Sequence, residues 1–595
     1  MDARHRPLTL IALAGLGACS SASYVASADE EVDQVLGTAT ETTLGNRREW
    51  IIQPKTEEPA PAEAKEPEAK EPETKEAVKP EAMPETKPEA KAPEAKAPEA
   101  KAPEVTQQPE VRPDVKPEAK PEAQKTPPDA PPAADPALPP KPKQDAEIYD
   151  LARTLATAVR QNREFLAARE SLYRQGLSIS LTRFEFGPQF EAAVSYLWPK
   201  SEGGVGSHRV GGSLTASQRL PTGGTLSLSS GYNTEWPFGP GLGDTIYSSS
   251  VSVSVSQPLL RGAGYDISHE PLTQAERALI YAIRDFENSR EDLSIRVARS
   301  FFELGSQRKT LVNEDRNYDS AVFDRGKAEA LLQVGKNLEK DVFLARRREI
   351  DAKDQLISAH AAYDRAVDEF KILLGLPTTS SIDIADQEPP YEAARFEVTS
   401  AVAAARHNRL DLITARQNLQ DVERSVRIAE NALLPDLNLT ASAGFAGLSS
   451  DYTQSAPDQW NSSVGLTFEV PLQRKSERNA YRSALISLEQ ARRGLQQQED
   501  RLDLAIRDAV RNLRSLEERI ALQEDQIKHE QRAVTVTEIQ YEQGKLENRE
   551  LLEARQAFFN AQNALIRLKV DHFVARLNLL KDMGIFFVDE QGMWR

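Results

Sequence analysis

The feature that most constrains the fold is an internal duplication that runs from about residue 144 to the end of the chain. An Asn-Arg pair, two prolines and two glycines recur in the same order in two successive segments. The intervals from asparagine to first proline (26 and 27 residues), from second proline to first glycine (77 and 73) and between the glycines (40 and 40) nearly coincide. The landmarks are Asn162-Arg163, Pro188, Pro258, Gly335 and Gly375, then Asn408-Arg409, Pro435, Pro471, Gly544 and Gly584. Such matched spacing predicts two structural repeats, 144–386 and 387–595.

The two repeats differ in the interval between their prolines, which is 70 residues in the first and 36 in the second. The short interval holds two alternating segments, which predict two strands. The long interval also alternates, and its surplus contains the turn signal Pro221-Thr-Gly-Gly224. We predict four strands in the first repeat and two in the second, or two and two if the extra hairpin stays outside the sheet. An aromatic girdle is expected near the strand ends that face the long loops, from Trp198, Tyr232, Trp236, Phe238, Tyr247, Tyr452 and Trp460.

The segments between the second proline and the first glycine predict very long helices. They carry apolar residues at helical spacing and alternating charges. A helix of roughly 65 to 70 residues is about 100 Å long at 1.5 Å per residue. The return helix after the glycine covers about 60 Å, and the segment before the strands adds about 40 Å. Each repeat is therefore expected to pair its long helix with a return helix stacked end to end on the pre-strand helix.

The N-terminal quarter of the chain predicts a targeting segment and a linker. Residues 1–18 combine Arg4 and Arg6 with a short apolar stretch, which is typical of a signal peptide. Leu16-Gly-Ala-Cys19 resembles the bacterial lipobox, so we expect lipidation at Cys19, the single cysteine; a chance cysteine after an ordinary signal peptide is the alternative. Residues 19–53 begin the mature chain. Residues 54–143, nearly all Pro, Glu, Ala and Lys, predict a disordered linker, either solvated spacer or peptidoglycan contact.

Composition excludes several classes of function. The net charge of −17 argues against a nucleic-acid partner. The sequence lacks a phosphate-binding loop, a His-Glu-x-x-His zinc motif and a nucleophile elbow, and its seven histidines are scattered. We therefore predict no catalytic, cofactor or metal site and no enzyme. Six strands cannot close a membrane barrel alone, so a membrane role requires oligomers, with eighteen or twelve strands in a trimer.

Several motifs together resemble the TolC-type outer-membrane efflux family across about residues 144–595. They are Asn408-Arg-Leu-Asp-Leu412 with Ala415-Arg416, Gln257-Pro-Leu-Leu260, and Val334-Gly335 followed by Asp341-Val342 and Ala345. The resemblance implies a mainly α fold with membrane β-strands, assembled as a trimeric α/β barrel with a long periplasmic extension. It implies a homotrimer in outer-membrane lipid that conducts passively after recruiting a periplasmic adaptor and an inner-membrane transporter of RND or ABC type. The exit duct of a type I protein secretion system and a non-conducting structural lipoprotein are the alternatives.

The resemblance also implies roles for residues near the two helix reversals. Adaptor docking is expected at Val334, Gly335, Gln543 and Gly544, and a periplasmic gate at Glu550, Glu553, Tyr541 and Asp341. An exposed acidic helix face is the alternative for the two glutamates. Leu546 stands where the family can hold an arginine, so one charge pair between protomers of the closed state is expected to be missing.

Overall fold

The computed structural model describes residues 21–45, 147–198, 206–238, 244–335, 338–393, 395–543, 545–546 and 548–594. Cys19 and the predicted linker, residues 54–143, lie outside these ranges. The elements up to the first reversal are α1 Ser21–Leu44, β1 Glu147–Tyr149, α2 Leu151–Gln161, α3 Arg163–Phe186, β2 Gln189–Leu197, β3 Gly206–Arg219, β4 Thr225–Phe238, β5 Ile246–Pro258, α4 Tyr265–Ser268 and α5 Glu270–Gln333. The later elements are α6 Glu339–Leu374, β6 Ile382–Ile384, α7 Val398–Asn408, α8 Leu410–Asn431, β7 Asp436–Ser449, β8 Gln459–Glu469, α9 Lys475–Glu542 and α10 Asn548–Asp582.

Two very long helices dominate the structure, as the spacing of the landmarks predicts. Helix α5 has 64 residues and α9 has 68, so each is about 100 Å long. The return helices α6 and α10, with 36 and 35 residues, pack along α5 and α9 respectively. Pro271 lies in the first turn of α5, where its missing N–H leaves no helical hydrogen bond unmade. The helix therefore begins at Glu270 rather than directly after β5.

The repeated glycines and Asn-Arg pairs meet each other in space. Gly375 ends α6 with φ +80°, and a Cβ placed there would lie 2.0 Å from the carbonyl oxygen of Gln161. At the break between α2 and α3, the Asn162 amide donates to the carbonyl of Leu373 at 2.7 Å and accepts from the Phe165 N–H at 2.8 Å. The return helix α6 is thereby joined to the start of α3, as predicted for an end-to-end stack.

The second repeat makes the same junction with charged groups. Gly584 follows α10 with φ +67°, and a Cβ there would lie 2.8 Å from the carbonyl carbon of Asn408. The Arg409 guanidinium donates to Asp411 at 2.9 Å and to Asp582 at 3.1 Å. We call these two contacts, at Gly375 and Gly584, the stacking junctions.

All six long strands form one antiparallel sheet in the order β2-β3-β4-β5-β7-β8. The predicted extra hairpin is β3 and β4, which turn at Pro221–Gly224. The arrangement of four strands in the first repeat and two in the second is therefore the one that the structure has. Strands β2 and β8 each leave one edge unpaired in the described chain.

Several elements were not predicted, and most of them lie beside the stacking junctions. Helix α1 packs on α3 and α5 through the fully buried Val32 and Leu36, in the segment predicted only as the start of the mature chain. Strands β1 and β6 form a short parallel pair. The main apolar core also lies here and includes Phe301 and Phe370. No described helix is both long and apolar enough to cross a membrane.

A substitution at the first stacking junction tests its contribution to stability. Gly375→Ala should lower the free energy of unfolding by more than about 2 kcal/mol, because the new methyl meets the Gln161 carbonyl in a left-handed backbone conformation. Gly494→Ala in α9 is the matched control, since a Cβ there meets nothing within 4 Å. The control should gain up to about 1 kcal/mol from helix propensity. Chemical unfolding followed by circular dichroism measures both, and equal stability of the two variants would contradict the junction's role.

Candidate functional site at the helix tips

The first helix tip is the reversal between α5 and α6. Helix α5 ends at Gln333, and Gly335 takes φ +74° while its N–H donates to the carbonyl of Leu332 at 2.9 Å. Val334 and Leu338 are about two-thirds exposed, at 67% and 62%. A reversal built on a left-handed glycine therefore presents apolar side chains to its surroundings, which suits a docking surface.

The second helix tip is the reversal between α9 and α10. Gln543 follows α9, and its N–H donates to the carbonyl of Ile539 at 3.1 Å. Lys545 donates its backbone N–H to the carbonyl of Gln540 at 2.9 Å, which closes the last turn. Gly544, the predicted reversal residue, lies outside the described residues.

The four predicted gate residues lie near the two tips but make different contacts. Asp341 accepts the backbone N–H of Leu338 at 3.1 Å and so caps the start of α6. Glu550 and Glu553 are exposed on the first turns of α10, and Glu553 accepts from Arg549 at 2.7 Å. The Lys327 ammonium lies over the Tyr541 ring, 5.0 Å from its centre.

Within one protomer Asp341 and Glu553 therefore make contacts local to their own helices, whereas Tyr541 contacts a residue of another helix. Asp341 supplies a cap of the kind that favours acidic side chains at a helix start. The Arg549–Glu553 pair is an exposed i, i+4 contact, which contributes little to stability. A role across the axis of the predicted trimer stays a prediction.

Sequence reasoning missed a polar layer that joins the two helix pairs above the tips. Arg555 of α10 donates to Asp324 of α5 at 2.9 Å and to Glu538 of α9 at 3.0 Å. Farther from the tips, Asn313 of α5 donates to Asn563 of α10 at 2.7 Å. Asp324 is buried, and this burial raises the pKa of its carboxyl while Arg555 opposes the shift. Charged residues at intervals along a helix are usually solvent-facing, so their pattern alone gave no signal.

A wide cleft lies at the second stacking junction. It has a volume of about 1350 Å³ and is lined by several acidic and basic side chains. Burial raises the pKa of one of them, Glu291, to about 8, with Lys581 acting in the opposite direction. Among the described residues no group of three or more His, Cys, Asp or Glu is placed to hold a metal ion. Cys19, the predicted lipidation site, lies outside those residues.

The polar layer predicts a measurable tie between the helix pairs. Asp324→Asn should reduce the free energy of unfolding by roughly 3 kcal/mol, because a buried ion pair loses one partner. Asp525→Asn, which breaks the fully exposed pair with Lys528, should leave stability unchanged. Hydrogen exchange should show faster opening of α10 near Arg555 only in the first variant. Similar behaviour of both variants would show that the layer does not join the pairs.

The raised pKa of Glu291 predicts that stability falls as the pH rises from about 4.5 to about 8. The folded chain holds this proton where the unfolded chain, with a pKa near 4.5, releases it. The stabilisation from this bound proton is fully present below pH 4.5 and is lost as the pH rises through about 8. The free energy of unfolding falls by at most about 1.4 kcal/mol per pH unit in this range. Glu291→Gln should flatten the pH dependence of the thermal midpoint, whereas Gln at the exposed Glu518 should not. An unchanged pH profile in the first variant would contradict the assignment.

The family comparison matches the second repeat of this chain. The model of a family described as outer membrane efflux protein matches residues 401–584. The alkaline protease secretion protein AprF of Pseudomonas aeruginosa is 25% identical over 367 residues, covering 58% of this chain and 71% of that protein. Outer membrane efflux protein BepC of Brucella suis is 22% identical over 348 residues, covering 58% of this chain and 74% of that protein. Outer membrane protein TolC of Salmonella enteritidis is 21% identical over 352 residues, covering 56% and 69%.

Solved structures share the fold over most of the chain. The outer-membrane channel OprN superposes with a TM-score of 0.57 at 17% identity, covering 74% of this chain and 90% of that one. The Campylobacter jejuni CmeC outer membrane channel gives 0.56 at 16% identity, covering 75% and 90%. The predicted combination of long helix pairs with an antiparallel sheet is therefore confirmed as a known fold.

Proposed function

As this chain belongs to the TolC-type outer-membrane efflux protein family, we propose that it forms a passive homotrimeric channel from the periplasm to the exterior. The observation that carries the proposal is the six-stranded sheet, which in the described part of the chain leaves two edges unpaired at one end of helices about 100 Å long. Open edges are not tolerated in lipid, so the edge of β2 needs the β8 edge of another copy. The family and the fold are those of channels, in agreement with the prediction that the chain is not an enzyme.

The two faces of the sheet differ in polarity, which supports a barrel wall with lipid on one side and water on the other. Along β8, Trp460, Val464, Leu466 and Phe468 alternate with polar residues and glycine, and the strand is exposed throughout. The alternate face carries Ser442 opposite Ser463, whose hydroxyls lie 2.8 Å apart. A membrane barrel places its apolar face toward lipid and its polar face toward the lumen.

The helix pairs would continue this wall into the periplasm and end at the two tips. We propose that a periplasmic adaptor docks at Val334, Gly335, Gln543 and Gly544, and that an RND or ABC type transporter supplies the cargo. The exposed side chain of Val334 supports an apolar contact at the first tip. Lipidation of Cys19 would add an anchor in the outer membrane.

Threefold symmetry would gather Glu550 and Glu553 of three copies around the axis. Both side chains are exposed in one protomer and lie one helical turn apart. Six carboxylates around a narrow axis attract cations and repel anions. We propose that this ring narrows the periplasmic entrance, with Tyr541 and Asp341 near it.

Two kinds of cargo fit this architecture. The name of BepC assigns that protein to efflux, whereas the name of AprF assigns it to the secretion of a protease. Export of a polypeptide by an ATP-driven transporter is therefore the second candidate. Co-purification of the trimer with its native transporter would decide between them. A non-conducting envelope lipoprotein is the remaining alternative, and single-channel conductance of the reconstituted trimer would exclude it.

The proposed gate has a direct electrical test. Replacing Glu550 and Glu553 together by alanine should weaken block by divalent cations at least several-fold and reduce cation selectivity in planar bilayers, because the ring loses its charge. Replacing both by aspartate retains the carboxylates and is the matched control. Undiminished block in the alanine variant would remove these residues from the gate while leaving the channel proposal intact.

A further inference from the structure

We infer that the β3–β4 hairpin is a full part of the membrane wall, so that the trimer closes a barrel of eighteen strands. The alternative is a barrel of twelve, built from β2, β5, β7 and β8 of each copy, with the hairpin outside it. The inference rests on the proposed trimeric channel and goes beyond it, since it sets the width of the lumen. It is carried by the pairing, the faces and the turn of the hairpin.

Pairing is the first argument, because a strand has only two edges. Strand β5 pairs with β7 on one side and with β4 on the other, from Thr225 opposite Ser256 to Glu235 opposite Ile246. In a twelve-stranded barrel β5 would have to pair with β2 instead, and β4 would be displaced. The hydroxyls of Ser229 and Ser252 lie 2.8 Å apart across the β4–β5 ladder, as Ser442 and Ser463 do across β7–β8.

The faces of the sheet are the second argument. Leu228 of β4 lies opposite Ala216 of β3 and Val253 of β5, and Leu214 of β3 lies opposite Ala192 of β2. Apolar residues therefore continue on one face from β2 through the hairpin to β8, with Ser230 as a polar position in the row of Leu214. A hairpin that stood in water would gain nothing from this apolar face, whereas a strand in lipid requires it.

The turn of the hairpin is the third argument. Thr222 accepts the N–H of Gly264 at 3.0 Å and the side-chain amide of Gln257 at 3.0 Å, at the exit from β5. Gly223 has φ +94°, and a Cβ there would lie 2.4 Å from the carbonyl oxygen of Gly262. The turn therefore contacts the segment that connects the end of β5 to the helices.

The opposite end of the hairpin is aromatic, like its neighbours. The His208 ring lies 5.4 Å from Trp198 and 4.8 Å from Phe238, centre to centre. The Tyr452 ring lies 5.8 Å from that of Tyr247 near the outer end of β5. Both ends of the hairpin therefore align with the ends of the neighbouring strands. Such alignment is expected if all six strands cross the membrane together.

The consequence is a wider duct at the membrane. Barrel diameter grows roughly linearly with strand number, so a barrel of eighteen strands is about 1.5 times as wide as one of twelve. Its lining is rich in hydroxyl groups, from Ser227 and Ser229 on β4 to Ser252 and Ser254 on β5. The wall would then admit bulkier cargo than a twelve-stranded wall, and passage would be limited at the helix tips.

Paired cysteines test the inference in the full-length protein. Ser229→Cys with Ser252→Cys should oxidise to an intramolecular disulfide in outer-membrane trimers as completely as Ser442→Cys with Ser463→Cys. The second pair is the matched control, since β7 and β8 are neighbours in either barrel and Cys19 is common to both variants. Cross-linking of the control pair alone would overturn the inference.

A second measurement covers the case in which a cysteine pair perturbs folding. A fluorophore on Leu228→Cys should be quenched by brominated lipid to the extent seen on Val464→Cys of β8, and one on Ser229→Cys should not. A water-exposed label at residue 228 would again place the hairpin outside the wall. If the trimer failed to form or conduct while the β4–β5 disulfide still formed, the proposed function would fail and the strand pairing would stand.

Discussion

The stacking junctions are the constraint on which the rest of the structure depends. A return helix of 36 residues cannot match a partner of 64 by itself. It reaches that length only because Gly375 lets the chain pass within contact of Gln161, so that α6 and α3 continue one another. The same solution at Gly584 gives the second repeat an equal height. With both pairs complete, the strands can all begin at one level, and a single sheet becomes possible.

The sequence predicts this scaffold because its landmarks are local and periodic. Glycine and proline positions measure helix lengths, and alternation in segments such as Val251–Ser256 marks the strands. Sequence alone could not assign the hairpin to the sheet, since strand pairing is a contact between distant residues. Helix α1 was missed because its five acidic residues and small apolar set, with Val32 and Leu36 as the main anchors, give a weak amphipathic signal. At the site, exposure of Glu550 and Glu553 follows from their position, but the tie from Arg555 to Asp324 depends on the packing of three helices.

Apolar burial is unevenly distributed along the helices. The main core surrounds the stacking junctions, whereas the buried apolar cluster at the first tip consists of Ala328, Val342 and Ala345. Between them the two helix pairs are joined by polar contacts such as Asn313–Asn563. Regions with few buried apolar contacts open at lower free energy than a packed core. The architecture therefore combines a firmly packed region at the stacking junctions with tips that separate at a lower cost in free energy.

Helix α1 also determines how mechanical load travels through the chain. The chain leaves α1 at Leu44 and returns at β1, and both α1 and β1 belong to the same compact unit. Val32 and Leu36 seat α1 against α3, where a Cβ on Gly176 would come within 2.8 Å of Val32. A pull applied ahead of Ser21 is thus borne by the α1–α3 contact, in shear along the helix.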